Sequence, residues 1–455
     1  MKTRMNFKDE FYQKLKLLVL PIAIQNFMLA LVSATDAIML GWIDQTSLSA
    51  VSLAGQVQFV LSLFISGIAA GAGIMAAQYW GKQDAASIEK VIPIALRTNL
   101  LFSGLFTILA GFCPEMLMRI FTNDAALVAS GSQYLRAVAL SYVLCGISQV
   151  YLILLKNTGH AAVSSRISST AVVLNIILNA ILIYGLCGAP ALGIRGAAYA
   201  TVAARVVELI WAYLETKKPE RVRILWNRLF SSAGKILSED FWRYTLPVLA
   251  ASLVWGIAYV LYSVIMGHMG SDAVAANSIT SIAKSLLSCL IRGVSGGAGV
   301  LIGNLLGANE LEKAREYGGR LSHLSIAIGI VTGGLLMLIS PAIVHFAPLS
   351  DTAAEYLQYM LLFCGLNLMA QSVNTTVLDG IFCAGGGAKF DMQGNIGAMW
   401  CFSVPLGFLA AFWLKLPVMV VYCIVNLDEI VKLPAVYLHY KKYVWVRNIT
   451  RDIEE

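Results

Sequence analysis

Apolar residues in this chain run in long unbroken stretches rather than in alternation. The stretches lie at about 15–40, 52–80, 91–115, 131–156, 166–187 and 193–215, then at 242–266, 275–305, 321–347, 354–382, 391–414 and 416–440. Each is near or above the roughly 20 residues a helix needs to cross a hydrocarbon core about 30 Å thick. Continuous runs exclude a barrel, whose strands alternate between lipid and lumen. The pattern predicts an all-α membrane protein of twelve transmembrane helices. Six lie on each side of one long polar stretch, Glu215–Trp242, which carries Lys217, Lys218, Pro219, Arg221, Arg223, Arg228 and Lys235.

Composition agrees with that reading and removes the alternatives. Of 455 residues 58% are hydrophobic and 13% charged, with a mean hydropathy of +0.73. A soluble chain is about 25% charged, so no sizeable soluble domain is expected. The net charge of +7 is accounted for by orientation. With the N-terminus inside and the helices alternating, 24 of the 33 Lys and Arg residues fall in inside segments, and only Arg119, Arg195 and Lys415 in outside loops. Such a bias places both termini in the cytoplasm, in the plasma or inner membrane. The basic residues therefore call for no nucleic-acid partner. The eight cysteines are scattered through apolar runs without CxxC spacing and read as small hydrophobes. No cleavable leader is expected at the N-terminus.

The two sets of six helices repeat in sequence. At an offset of 226 residues Pro21 meets Pro247, Gly41 meets Gly267, Gly67 meets Gly293, Gly71 meets Gly297, Gly73 meets Gly299 and Gly81 meets Gly307. Further on the offset is 227, pairing Pro114 with Pro341, Asp124 with Asp351 and Gly159 with Gly386. Six helices per repeat return the chain to its starting side. The repeats are therefore parallel, related by an axis along the membrane normal, which is a transporter signature. The expected organisation is a lobe at 1–215, a cytoplasmic linker at 216–241, a second lobe at 242–440 and a tail at 441–455. The lobes would be pseudo-symmetric with a cavity between them.

No GxxxxGK[ST] phosphate loop, HExxH or DDxxD cluster occurs, so neither a nucleotide-driven pump nor an enzyme is expected. A secondary transporter driven by an ion gradient remains, with H+ or Na+ as coupling ion and no other cofactor. Coupling needs an ionisable group within the membrane, where a charge costs at least about 2.5–3.5 kcal/mol. Asp36, late in the first helix and after Thr35, is the leading candidate: it can carry a proton or, with oxygen ligands, hold Na+. Asn175 and Asn179 share one face of the fifth helix, where they can ligand a cation or join helices. Lys284 and Arg292 share a face of the eighth. They would contact an anionic group or pair with Asp379, Asp428 or Glu429. Asp428 with Lys432, and Arg205 with Glu208, are spaced for pairing within their own helices.

These residues resemble the multidrug and toxic compound extrusion (MATE) family over nearly the whole chain. Pro21, Gln25, Asp36 and Gly41 match its P…Q…D…G pattern. AAQYWGKQD (76–84) and GNLLGANE (303–310) look like its two copies of a helix-end motif. LLKNTGH (154–160) is similar to LLRATGD, and NIILNAILIYG followed by ALGIRGAAYAT (175–201) to NxxLDxxLIFG…PALGxxGAAxAT. The resemblance implies a V of two six-helix lobes, facing outward or inward, that exports drugs or amphipathic metabolites against H+ or Na+ by alternating access. It implies a cation site at Asp36, Asn175, Asn179 and Thr201, with Asp36 the metal ligand if the ion is Na+. A small-molecule cavity would draw on Gln25, Trp255, Tyr262, Lys284, Arg292 and Asp379. The protein is expected to work as a monomer in the bilayer. The chain departs from the family pattern at Asn179, Ser252, Trp255, Cys383, Gly387 and Asn395, so no cation site is expected in the second lobe. Two alternatives stay open: a flippase for lipid-linked precursors, with Lys284 and Arg292 facing a pyrophosphate, and a sensor or channel descended from a transporter.

Overall fold

A computed structural model describes residues 7–42, 45–224, 226, 229, 234–347 and 349–452; Arg228 of the linker lies outside the described residues. Helices account for nearly all of it. The first repeat contributes α1 (Phe7–Gly41), α2 (Gln45–Gly81), α3 (Ala85–Phe112), α4 (Ala125–Leu155), α5 (Ala161–Tyr184) and α6 (Ile194–Thr216). The second contributes α7 (Lys235–Gly267), α8 (Ser271–Gly307), α9 (Leu311–Phe346), α10 (Asp351–Thr375, continued in wide turns to Phe382) and α11 (Ala388–Trp413). The twelfth run is broken at Asn426 and Leu427 into α12 (Val418–Val425) and α13 (Asp428–Tyr440).

Several helices start well before the apolar run that announced them. α1 begins at Phe7 rather than near 15, α7 at Lys235 rather than 242, and α9 at Leu311 rather than 321. An apolar run marks the part of a helix that sits in hydrocarbon, while backbone hydrogen bonding carries the helix on into the polar interface. α4 and α5 form one uninterrupted apolar stretch of 60 residues. Gly159, at φ +82°, reverses it. Ser164 Oγ donates to Leu152 O, 3.1 Å away and 12 residues earlier, which only a chain that has turned back can do. Gly386, the repeat partner of Gly159, is also left-handed at φ +76° and stands between α10 and α11.

The helix-end motif folds the same way in both repeats. After α2, Gln83 takes φ +64°, and after α8, Asn309 takes φ +61°. The amide of Asp84 donates to Tyr79 O and that of Glu310 to Leu305 O, each at 2.9 Å. These are the long closing bonds of a helix terminated by a left-handed residue. Asp84 then caps α3 by accepting from the Ser87 amide at 2.9 Å.

The chain packs as two compact units. A first unit comprises Phe27–Leu249, and a second comprises Met1–Asn26 with Ala250–Glu455. The divisions fall inside α1 and inside α7, each a few residues past its proline, so the packing follows a different partition from the sequence repeats. In the first unit a Cβ on Gly67 would lie 2.9 Å from Leu249 Cα, and one on Gly71 would lie 2.6 Å from Thr245 Cα. In the second unit a Cβ on Gly293 would lie 2.6 Å from Ala23 Cβ, and one on Gly297 would lie 2.8 Å from Val19 Cγ2. All four contacts keep the 226-residue offset. The glycine stripe of each repeat therefore receives the opening half of the other repeat's first helix, at a distance that only a missing side chain allows. Leu61, Leu135, Tyr142 and Ala198 are among the side chains that fill the first unit's core. The second unit has one cluster around Tyr262, Leu361 and Val421 and another around Phe11, Tyr317 and Trp445.

Candidate functional site

The local structure of the first unit explains how a polar group comes to sit among these helices. α5 ends at Gly185, which is left-handed at φ +72°. The chain then turns back, with the amides of Leu192 and Gly193 donating to Leu182 O and Ile183 O at 2.9 and 3.3 Å. Gly196 opens α6 so close to α5 that a Cβ there would lie 2.4 Å from Leu182 O. The IYG…ALGIRG motif is thus a tight helical hairpin. It holds Thr201 of α6 beside Asn175 of α5, whose Nδ2 donates to Thr201 Oγ1 at 3.2 Å. Tyr184 OH donates to Met39 O at 2.7 Å, which ties the end of α5 to α1.

Asp36 completes the group. Asn179 Nδ2 donates to Asp36 Oδ1 at 2.5 Å and to Asn175 Oδ1 at 3.2 Å. Asp36, Asn179, Asn175 and Thr201 therefore form one continuous hydrogen-bonded line across α1, α5 and α6. Asn179 is fully buried, Asn175 is 5% exposed, and Asp36 is half-buried. Tyr134 of α4, also buried, lies within electrostatic reach of Asp36. Among the described residues the buried Asn179 Oδ1 has no hydrogen-bond partner, an arrangement that costs free energy when left unmet. The line gathers one carboxylate, two amides and one hydroxyl, and among the described residues no cluster of three His, Cys, Asp or Glu side chains of metal-site type occurs.

The six residues expected to line a cavity all lie in the second unit. Gln25 is half-buried on α1, Trp255 stacks on Tyr259 with ring centroids 5.6 Å apart, and Tyr262 is 8% exposed. Asp379 sits in the wide turns that end α10, and both it and Arg292 are exposed. Lys284 donates to Asn367 Oδ1 at 3.0 Å, so its partner is an amide rather than the acid the sequence suggested. Arg292 lies within electrostatic reach of Asp379 without an ion pair to it among the described residues. The expected pairs within helices are present. Arg205 Nη1 lies 2.5 Å from Glu208, and Lys432 Nζ 3.5 Å from Asp428.

The second unit also holds a buried charged group that residue spacing revealed only in part. Lys432 meets Glu429 as well as Asp428, and through Asn395 it reaches Asp391. The spacing of Asp428 and Lys432 was legible as one shared helix face; Asp391, four residues before Asn395 and so on one face with it, was not singled out by the sequence. That α11 and α13 turn those faces toward each other was not legible either.

A helical membrane protein whose two halves repeat in sequence, with polar side chains joined across the interior of one unit, has the build of a membrane transporter. The sequence matches the MatE family over residues 21–181 and 247–409, and the chain belongs to that family. It is 21% identical to the probable multidrug resistance protein YoeA of Bacillus subtilis, over 99% of this chain and 98% of the relative. It is 23% identical to a probable multidrug resistance protein NorM of Thermotoga maritima, over 90% and 87%. Among solved structures, the Vibrio cholerae MATE transporter VcmN, crystallised as a point mutant, superposes with a TM-score of 0.88 at 15% identity over 97% of this chain and all of that one. A transporter of the MOP superfamily from Pyrococcus furiosus superposes at 0.85 with 20% identity over 95% of each. The protein is therefore a multi-pass membrane transporter of the MATE fold.

Proposed function

We propose that the chain is a secondary active exporter of drugs or amphipathic organic metabolites, that it exchanges them for H+ or Na+ by alternating access, and that Asp36 is the coupling acid. The observation that carries this reading is the line from Asp36 through Asn179 and Asn175 to Thr201. Within that line Asn179 is suited to report the state of Asp36. Its amide now donates to a carboxylate; turned over, it would offer Oδ1 to a protonated carboxyl or to a bound cation. Each turn changes which of its neighbours is satisfied, so ion binding at Asp36 alters the packing of α1 against α5. A ligand shifts a conformational equilibrium only by its difference in affinity between the two states, and this contact supplies such a difference.

The charge distribution supports both termini in the cytoplasm of a plasma or inner membrane. The relatives, named as probable multidrug resistance proteins, support small organic substrates, and a monomer suffices for a site built within one unit. The test is transport by reconstituted vesicles under an imposed H+ or Na+ gradient. Asp36→Asn should abolish gradient-driven export of a fluorescent organic substrate while the protein still inserts and binds it. Export by the variant at the wild-type rate removes Asp36 from the coupling role.

A further inference from the structure

Lys432, on α13 in the second unit, is 5% exposed. An ammonium so deep in a protein persists only where oxygens replace its lost water. Three do so. Glu429 Oε1 accepts at 3.1 Å, Asn395 Oδ1 at 3.2 Å, and Asp428 Oδ2 lies 3.5 Å away. Each of the two nearer ligands is held in turn. Asn374 Nδ2 donates to Glu429 Oε2 at 2.8 Å and to Glu429 O at 2.6 Å. Asn395 Nδ2 donates to Asp391 Oδ1 at 3.2 Å, so its oxygen is aimed at the ammonium and its nitrogen at the carboxylate. Among the described residues, the other charged side chains nearby are Asp379, Arg292 and Lys284. Four acids therefore face three bases, an imbalance that favours a cation at this spot.

We propose that the oxygens of Glu429, Asp428 and Asn395 form a site for a monovalent cation, and that the chain fills it with its own Lys432 ammonium. A dissolved ion can leave and return; a tethered one cannot. The second unit then contributes no exchangeable ion at this position, and the site accepts a small ammonium or alkali cation only once the lysine is removed. This inference stands whether or not Asp36 is the coupling acid, because it is read from binding and not from transport.

The test follows the thermal unfolding of the purified full chain in detergent, with methylammonium chloride and sodium chloride as probes and choline chloride at equal ionic strength as control. Wild type should respond alike to all three salts. Lys432→Ala should melt roughly 5–10 °C lower and recover at least half of that loss in methylammonium but not in choline. Lys432→Met, which fills the space, should show no recovery. Equal responses of Lys432→Ala to methylammonium, sodium and choline, or a melting point equal to wild type, overturn the proposal. If Lys432→Ala does not fold, the comparison moves to Lys432→Met alone and combined with Glu429→Gln. The double variant should be the more stable, since it leaves one fewer acid unpaired; a less stable double variant overturns the proposal as well.

Discussion

Asn179 donates its side-chain amide to Asp36 across 143 residues of sequence, joining α5 to α1 inside the first unit. The same nitrogen reaches Asn175, so one amide serves both the acid and the remainder of the polar line. Asn179→Leu keeps the branched outline of the side chain and removes both donated bonds. A hydrogen bond to a charged group is worth about 1.5–3 kcal/mol, which corresponds to a fall in ion-coupled export of roughly 10- to 100-fold. Vesicle efflux assays should show that loss, while Asn179→Asp, which supplies a second acid, should retain coupled export.

Glu208 is 1% exposed and accepts from Arg205, Ser148 and Ser168, which brings α4, α5 and α6 together. Glu208→Ala leaves the Arg205 guanidinium without its counter-charge. Breaking a buried pair in this way costs about 3–5 kcal/mol. Unfolding of the purified variant should begin at a markedly lower temperature than wild type, and Arg205→Met combined with Glu208→Leu should recover most of the difference.

The hairpin between α5 and α6 requires Gly196, because a methyl group there would meet Leu182 O at 2.4 Å. Gly196→Ala should separate Thr201 from Asn175 and lower both melting temperature and transport. Gly104→Ala on α3, where a Cβ would meet nothing within 4 Å, serves as the control. It should be neutral, or stabilising by up to about 1 kcal/mol.

The segment after α13 is part of the second unit's core. Trp445 is 1% exposed, its ring lies 2.5 Å from where a Cβ of Gly318 would be, and its carbonyl closes against Gly385. Arg315 stacks on Tyr443 at 3.7 Å, and Asn448 Nδ2 donates to Gly307 O at the end of α8. Trp445→Ala should cost about 3–5 kcal/mol through the cavity it leaves. Limited proteolysis should then cut near 441–452 in the variant at protease levels that leave wild type intact.

The site was legible in unequal parts. Asn175 and Asn179 declared a shared face by their spacing of four, and Asp36 stood out because an acid in an apolar helix is costly. The family resemblance grouped them with Thr201; residue spacing by itself did not show which neighbour each would meet, since the meeting depends on the close approach permitted at Gly196 and on α1 arriving from 143 residues away. In the second unit the departures at Asn395 and Gly387 argued only against a cation site of the family type and did not say which charged side chains would meet. The fold brings Asp391, Asp428, Glu429 and Lys432 together, because α11 and the broken twelfth run present their polar faces to each other.

Sequence alone determined the class of the molecule. Twelve apolar runs, a charge bias along the loops and a repeat of glycines and prolines each follow from local physics: hydrocarbon thickness, the cost of moving basic loops across a membrane, and backbone geometry that few residues can adopt. Tertiary structure decided the partnerships. The packing boundary runs through α1 and α7 because Gly67 and Gly293 each accept the first helix of the other repeat. Which cations and acids meet was settled there too, because contacts between helices far apart in sequence depend on how closely their backbones can approach.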